Sequence, residues 1–127
     1  MSKPIVISLG EILWDMLPTG KRAGGAPVNF AYHASQNGAE SFAISAVGND
    51  ELGTELLSDA HKAGINTLVQ TNEYPTGTVD VALTNGIPEY TIVENVAWDH
   101  IKLPDELVEA VSKADAVCFG TLGLRSP

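Results

Sequence analysis

The chain has 127 residues, 44% of them hydrophobic and 18% charged, with a formal charge of −9. This is the composition of one globular domain, since chains run to about 150 residues per domain. Seven Lys and Arg against sixteen Asp and Glu argue against a nucleic-acid or anionic-membrane partner, because phosphate affinity is built from cations, and no apolar run is long enough to span a bilayer.

Ile5–Leu9 is a β-branched run closed by Gly10, which predicts a buried first strand. From Glu11 to Ala23 the pattern is extended but irregular, and Ile12, Trp14 and Met16 alternate with Leu13, Asp15 and Leu17. Pro18-Thr19-Gly20 is a turn signal, after which Lys21–Ala23 returns as a short strand. A first helix is predicted from about Pro27 to Gln36, stopped by Asn37-Gly38. Strand 41–47 follows, then a second helix to about Ala63 with Leu52, Leu56, Leu57 and Ala60 on one stripe. Asn49 or Asp50 caps it.

Thr67–Gln70 is a weak strand. Thr76–Thr84 then alternates cleanly and meets Asn85-Gly86, a type I′ hairpin signal, before a return strand at 89–93. A third helix starts near Pro104, with Leu103, Leu107, Val108 and Val111 as its apolar stripe. Ala116–Gly120 reads as another buried strand, with Cys118 as a core residue. Trp98-Asp99 reads as a packing and turn feature. The order gives an α/β fold: a mostly parallel sheet flanked by helices. The segments at about 11–24 and 76–95 do not fit that sheet, and most simply pair as a small second sheet that covers its carboxyl edge as a lid.

The chemistry gathers around Gly24-Gly25-Ala26-Pro27-Val28-Asn29. Bare backbone at Gly24 and Gly25 admits close approach of a ligand, and Pro27 fits the first helical turn. Asn29 projects an amide with donor and acceptor capacity from that turn, and Asp15 offers a carboxylate that accepts from two hydroxyls. Together they suit a neutral, hydroxyl-rich ligand; the same glycines serve equally as a tight strand-to-helix turn. Neither standard nucleotide loop is present: Gly20-Lys21 lacks the earlier glycine, with Asp15 in its place, and Arg22 stands where Ser or Thr is required. His33, His61 and His100 are scattered without zinc spacing.

The stretch Gly24–Ala31, ending in Asn37-Gly38-Ala39, resembles the N-terminal signature of the ribokinase-like carbohydrate kinases. Val47–Gly53 resembles their next shared segment, and Gly10-Glu11 followed by Asp15 resembles their opening strand and sugar-binding aspartate. The resemblance implies a partial three-layer α/β/α sandwich with an inserted β-sheet lid. It implies transfer of a phosphoryl group from ATP, with Mg²⁺, to a sugar hydroxymethyl group. Asp15 and Asn29 would bind sugar hydroxyls, and Gly24 and Gly25 would let the sugar pack on backbone.

Ala26-Pro27 after the diglycine, and Phe119–Ser126, are similar to the fructokinase branch. The family's Gly-Ala-Gly-Asp anion hole with its catalytic aspartate is absent, so the chain is expected to be the N-terminal part of such an enzyme, inactive alone and without bound ATP or Mg²⁺. Another sugar or nucleoside kinase of the same fold, and a non-catalytic sugar-binding or dimerisation module, stay open. Trp14, Met16, Val79, Val81 and Leu83 would form an apolar lid face, serving as a homodimer interface or as plain core, and an open sheet edge would also invite self-association. A single cysteine, and an N-terminus without signal-peptide layout, point to the cytoplasm.

Overall fold

A computed structural model describes residues 2–127. Among these residues the chain forms eight strands and three α-helices. In order they are β1 (Ile5–Leu9), β2 (Leu13–Leu17), β3 (Gly20–Gly24), α1 (Ala26–Gln36), β4 (Glu40–Gly48), α2 (Glu51–Lys62), β5 (Asn66–Asn72), β6 (Gly77–Thr84), β7 (Ile87–Ile92), α3 (Asp105–Ser112) and β8 (Ala116–Phe119). Short 3-10 turns at Ala97–His100 and Leu122–Leu124 complete the chain.

The strands divide between two sheets. The first has the order β5-β4-β1-β8, with every pairing parallel. Alternation along β1 and β4 sends Ser8 and Ser41 toward α1, where their hydroxyls donate to the carbonyls of Pro27 (2.7 Å) and Ala31 (2.6 Å). The main core lies on that side, where Val28, Ala31, Ala43, Val47, Leu56, Ala60 and Ile65 meet Ile12 and Trp14. On the opposite face α3 stands over Ile5, Ile7, Phe42 and Leu68, with a gap of about 390 Å³ beneath it. Helices on both faces of a parallel sheet make the three layers of the expected sandwich.

The second sheet has the order β3-β2-β6-β7. It joins the excursion after β1 to the hairpin some sixty residues later, through parallel pairing of Leu13–Met16 with Gly77–Asp80. Asn85 and Gly86 both have positive φ, 53° and 79°, as the type I′ turn requires.

Four expectations need correction. The apolar residues expected on one face of the second sheet lie on two. Trp14 and Met16 pack toward α2 and the main core, while Val79 and Val81 join Leu13 and Leu17 on the other side. The register explains this, because Asp15, not Trp14, stands opposite Val79. The strand expected at 67–70 runs the full length from Asn66 to Asn72, held by parallel pairing with Phe42–Gly48. The strand at 116–120 is not buried: β8 is an edge, exposed except at half-buried Cys118, so that cysteine is not a core residue. Finally, α3 has no fully buried residue; Leu103 and Val108, placed on its inner stripe, are 52% and 53% exposed.

Candidate functional site

The second sheet is rooted on the first at two places, both at the carboxyl edge. The first root runs from Gly10-Glu11 into β2 and back through Gly24-Gly25 into α1. Gly25 is the N-cap of α1 with φ 118°, and the Glu11 carbonyl lies directly where a β-carbon would stand. Only glycine fits there, both for its backbone angle and for that contact. At Gly24 a β-carbon would lie 2.8 Å from the Asp15 carboxylate. The half-buried acid therefore leans on bare backbone.

Asn29 is exposed in the first turn of α1, and its own N–H closes on the Gly25 carbonyl at 3.0 Å. Gly24 and Asn29 line one small cleft of about 160 Å³, shared with Val28, Tyr32, Leu56 and Asp59. Asp15 touches Gly24 but does not line that cleft. Gly24 is thus the residue common to both polar groups. Asp15 stands opposite Arg22 in the β2–β3 register, on the face that carries Leu13, Leu17, Val79 and Val81.

Glu11, which opens the irregular stretch and belongs to the Gly10-Glu11 motif of the resemblance, is 5% exposed and sits at the head of α1. Its Oε1 accepts from the Ala26 N–H at 3.4 Å, and its Oε2 has no partner. The available signal was its position: an acidic residue immediately after the glycine that ends the first strand.

The second root is tied more heavily. Asp50, the N-cap of α2, accepts from the Gly53 N–H (2.8 Å), the Thr76 hydroxyl (2.6 Å) and the Thr76 N–H (3.0 Å). The Thr76 oxygen in turn accepts from the Gly48 N–H at 2.9 Å. Burial pushes the Asp50 carboxyl up, but these bonds from Thr76 and Gly53 outweigh it and hold the group below its ordinary value.

Trp98, 2% exposed, presses on Gly77 at the start of β6, where a β-carbon would lie 2.5 Å from its ring. Arg125 covers the Trp98 ring at 4.1 Å and donates to Asp99 (2.8 and 2.7 Å) and to the Val93 carbonyl (2.8 Å). For Asp99 too, burial raises the carboxyl, and the Arg125 bond, the Val96 N–H and the charges of Arg125 and His100 more than reverse that. Beside this knot a cavity of about 250 Å³ opens at the carboxyl ends of β1 and β8, walled by Leu9, Gly10, Phe119, Gly120 and Leu124.

The first root carries two carboxylates, Glu11 and Asp15; Arg22 stands opposite Asp15 in the register, and the nearby Lys21 is spent on Glu55 and on the Trp14 ring. Among the described residues no group of three or more His, Cys, Asp or Glu is placed to hold a metal ion, and no helix is long and apolar enough to cross a membrane.

Known proteins share this fold. The family model described as pfkB family carbohydrate kinase matches residues 16–126. A crystal structure of an uncharacterized sugar kinase from Pyrococcus horikoshii superposes with a TM-score of 0.83 at 32% identity, covering 94% of this chain and 45% of that one. The fructokinase of Halothermothrix orenii superposes with a TM-score of 0.79 at 28% identity, covering 96% and 48%. Fructokinase-1 of Zea mays is 28% identical over an alignment of 138 positions that covers 96% of this chain and 43% of the relative's length. The chain therefore spans under half the length of the proteins it matches. With the family model covering most of the sequence and the fold agreeing throughout, the chain belongs to the pfkB family of carbohydrate kinases.

Proposed function

We propose that this chain is the sugar-binding part of an ATP-dependent sugar kinase, with fructose as the acceptor. The observation that carries the reading is the Asp15 carboxylate leaning on the bare backbone of Gly24, which also borders the first turn of α1 where Asn29 projects. A carboxylate accepts from two adjacent hydroxyls, an amide both donates and accepts, and a glycine wall lets a sugar ring approach the main chain. In this reading Asp15 and Asn29 orient the sugar, Gly24 and Gly25 shape its seat, and the second sheet covers it to exclude water during transfer. Solved fructokinases of the same fold support fructose as the acceptor, and the relative from Pyrococcus horikoshii has been crystallised with ATP.

ATP and Mg²⁺ are the expected co-substrate and metal of the whole enzyme. The residues described here do not fit them: the heads of α1 and α2 are each filled by a carboxylate of the chain, Glu11 and Asp50. The seat for both groups, with the catalytic base, is assigned to the length of the relatives that this chain does not span. By itself the chain is expected to give no sugar-dependent ATP turnover. A homodimer through the second sheet is part of the proposal, because Leu83, Ile87 and Tyr90 stand 60%, 67% and 65% exposed along its outer hairpin.

Calorimetric titration of the chain with fructose, ribose and adenosine tests the reading. Saturable binding of fructose, lost in Asp15→Ala, is expected. Binding of adenosine in preference to fructose, or fructose binding unchanged in Asp15→Ala, would overturn it. Sedimentation of the same sample reads the dimer.

A further inference from the structure

Cross-strand partners in a sheet share a face, so the β2–β3 register fixes what stands beside Asp15. Leu13 pairs with Gly24, Asp15 with Arg22, and Leu17 with Gly20. On the Asp15 face β3 therefore offers bare backbone at Gly20 and Gly24 and one side chain, Arg22, between them. Alternation along the strand agrees, because Lys21 points the other way, to Glu55 of α2 and to the Trp14 ring.

Arg22 and Asp15 stand opposite each other and do not pair. Among the described residues the ion pairs are Lys21–Glu55, Lys113–Glu109 and Arg125–Asp99, and Arg22 is in none of them. The guanidinium hydrogen bonds belong to Arg125. Arg22 is exposed on β3, an outer strand of its sheet. Asp15 leans instead toward Gly24, where a β-carbon would lie 2.8 Å from its Oδ2. At Gly20 a β-carbon would meet nothing within 4 Å. An acceptor and a planar fork of N–H donors thus stand side by side over bare backbone, each without a partner.

The two halves of this couple set what it can hold. A hydroxyl both donates and accepts, so neighbouring hydroxyls can donate to Asp15 while their oxygens accept from Arg22. An acid group suits Arg22 but opposes Asp15, and a cation does the reverse. We propose that Arg22 is a ligand-contacting, specificity-determining residue: with Asp15 it forms a donor–acceptor couple fitted to neighbouring hydroxyls of an uncharged sugar. This deepens the sugar reading above and rests on it.

Calorimetric titration of the wild-type chain, Arg22→Ala and Arg22→Lys with fructose, gluconate and singly deoxygenated fructoses is the test. Arg22→Ala should bind fructose about tenfold more weakly, the scale of one hydrogen bond to a charged group, with an unchanged urea midpoint. Arg22→Lys keeps the charge but not the fork, and should stay well below wild-type affinity. At least one deoxygenated fructose should bind the wild type more weakly than fructose does and lose nothing further in Arg22→Ala, because both changes remove the same bond.

Full rescue by lysine would make Arg22 a charge balance for Asp15. Additive losses for every analogue would place it out of contact, and tighter binding of gluconate than of fructose would make it an anion receptor. Each of these overturns the proposal. Outer strands also carry cations that block edge pairing. That role alone would leave the fructose affinity of Arg22→Ala intact while the variant self-associates in sedimentation, which overturns it too. Asp15→Ala keeps the two readings apart. If it abolishes fructose binding while Arg22→Ala does not weaken it, the sugar seat stands and only the role of Arg22 falls. If the wild-type chain binds no fructose, the sugar seat falls and takes the role of Arg22 with it.

Discussion

The two roots of the second sheet are built from similar parts and finished differently. Each has a carboxylate at a helix head and a glycine pressed by a neighbour: Glu11 with Gly25 at α1, Asp50 with Gly48 and Gly53 at α2. At the second root Asp50 accepts three bonds, the Thr76 hydroxyl both donates and accepts, and Asp99 and Arg125 satisfy each other. At the first, Glu11 has an unpartnered oxygen, and among the described residues the Asp15 and Asn29 side chains have no hydrogen-bond partner. A satisfied network fixes position, whereas unspent acceptors beside bare backbone are what a ligand needs. The second root is thus the anchor of the sheet, and under the proposed function the first is where the sugar is read.

Breaking the anchor should cost the most. Trp98→Ala removes a fully buried ring from between Gly77 and Arg125, and a loss of about 3–5 kcal/mol in urea unfolding is expected for such a truncation. Amide exchange should show β6 and β7 losing protection ahead of the parallel sheet. A loss under about 1 kcal/mol would mean that Trp98 is not the anchor. Thr76→Val is the next step down. It keeps the shape but strands the Gly48 N–H and leaves Asp50 Oδ1 with the Gly53 N–H alone, for a cost of about 1–3 kcal/mol.

The pH dependence of stability sharpens the same contrast. Asp50 and Asp99 both have carboxyl pKa values lowered in the folded chain. Their contribution is fully present above the unfolded carboxylate value, near about pH 4, and is lost as the pH falls through the folded values. Chemical denaturation repeated across that window should show stability declining on acidification. Asp50→Asn should flatten part of the slope; an unchanged slope would remove Asp50 from the account.

How much of this was legible beforehand depended on range. The Asn85-Gly86 turn, the Asp50 cap and the diglycine before α1 are local devices, and local sequence reports them. Thr76 as the partner of Asp50 lies 26 residues away, and nothing in either neighbourhood names the other. The strand at 116–119 reads as apolar whether or not its faces are covered, so its edge position was invisible, as was the exposure of Val108. The split of Trp14 from Val79 needed the parallel register of β2 on β6, which no short-range pattern encodes. Glu11 carries no local mark of its place at the head of α1, because its partner Ala26 lies 15 residues on.

The smallest expected effect on the fold is the most telling for the site. Asn29 is exposed, and among the described residues its side chain has no hydrogen-bond partner, so the fold asks nothing of it beyond helix formation. Asn29→Ala also raises helix propensity. Its effect on unfolding should stay within about 0.5 kcal/mol, in either direction. Yet if the first root reads a sugar, the same substitution should abolish or severely weaken fructose binding in calorimetry. A residue that is idle in the free protein and required with the ligand separates a binding group from a structural one. If Asn29→Ala lowers stability while leaving fructose binding intact, the contrast between the two roots fails at the point where it matters most.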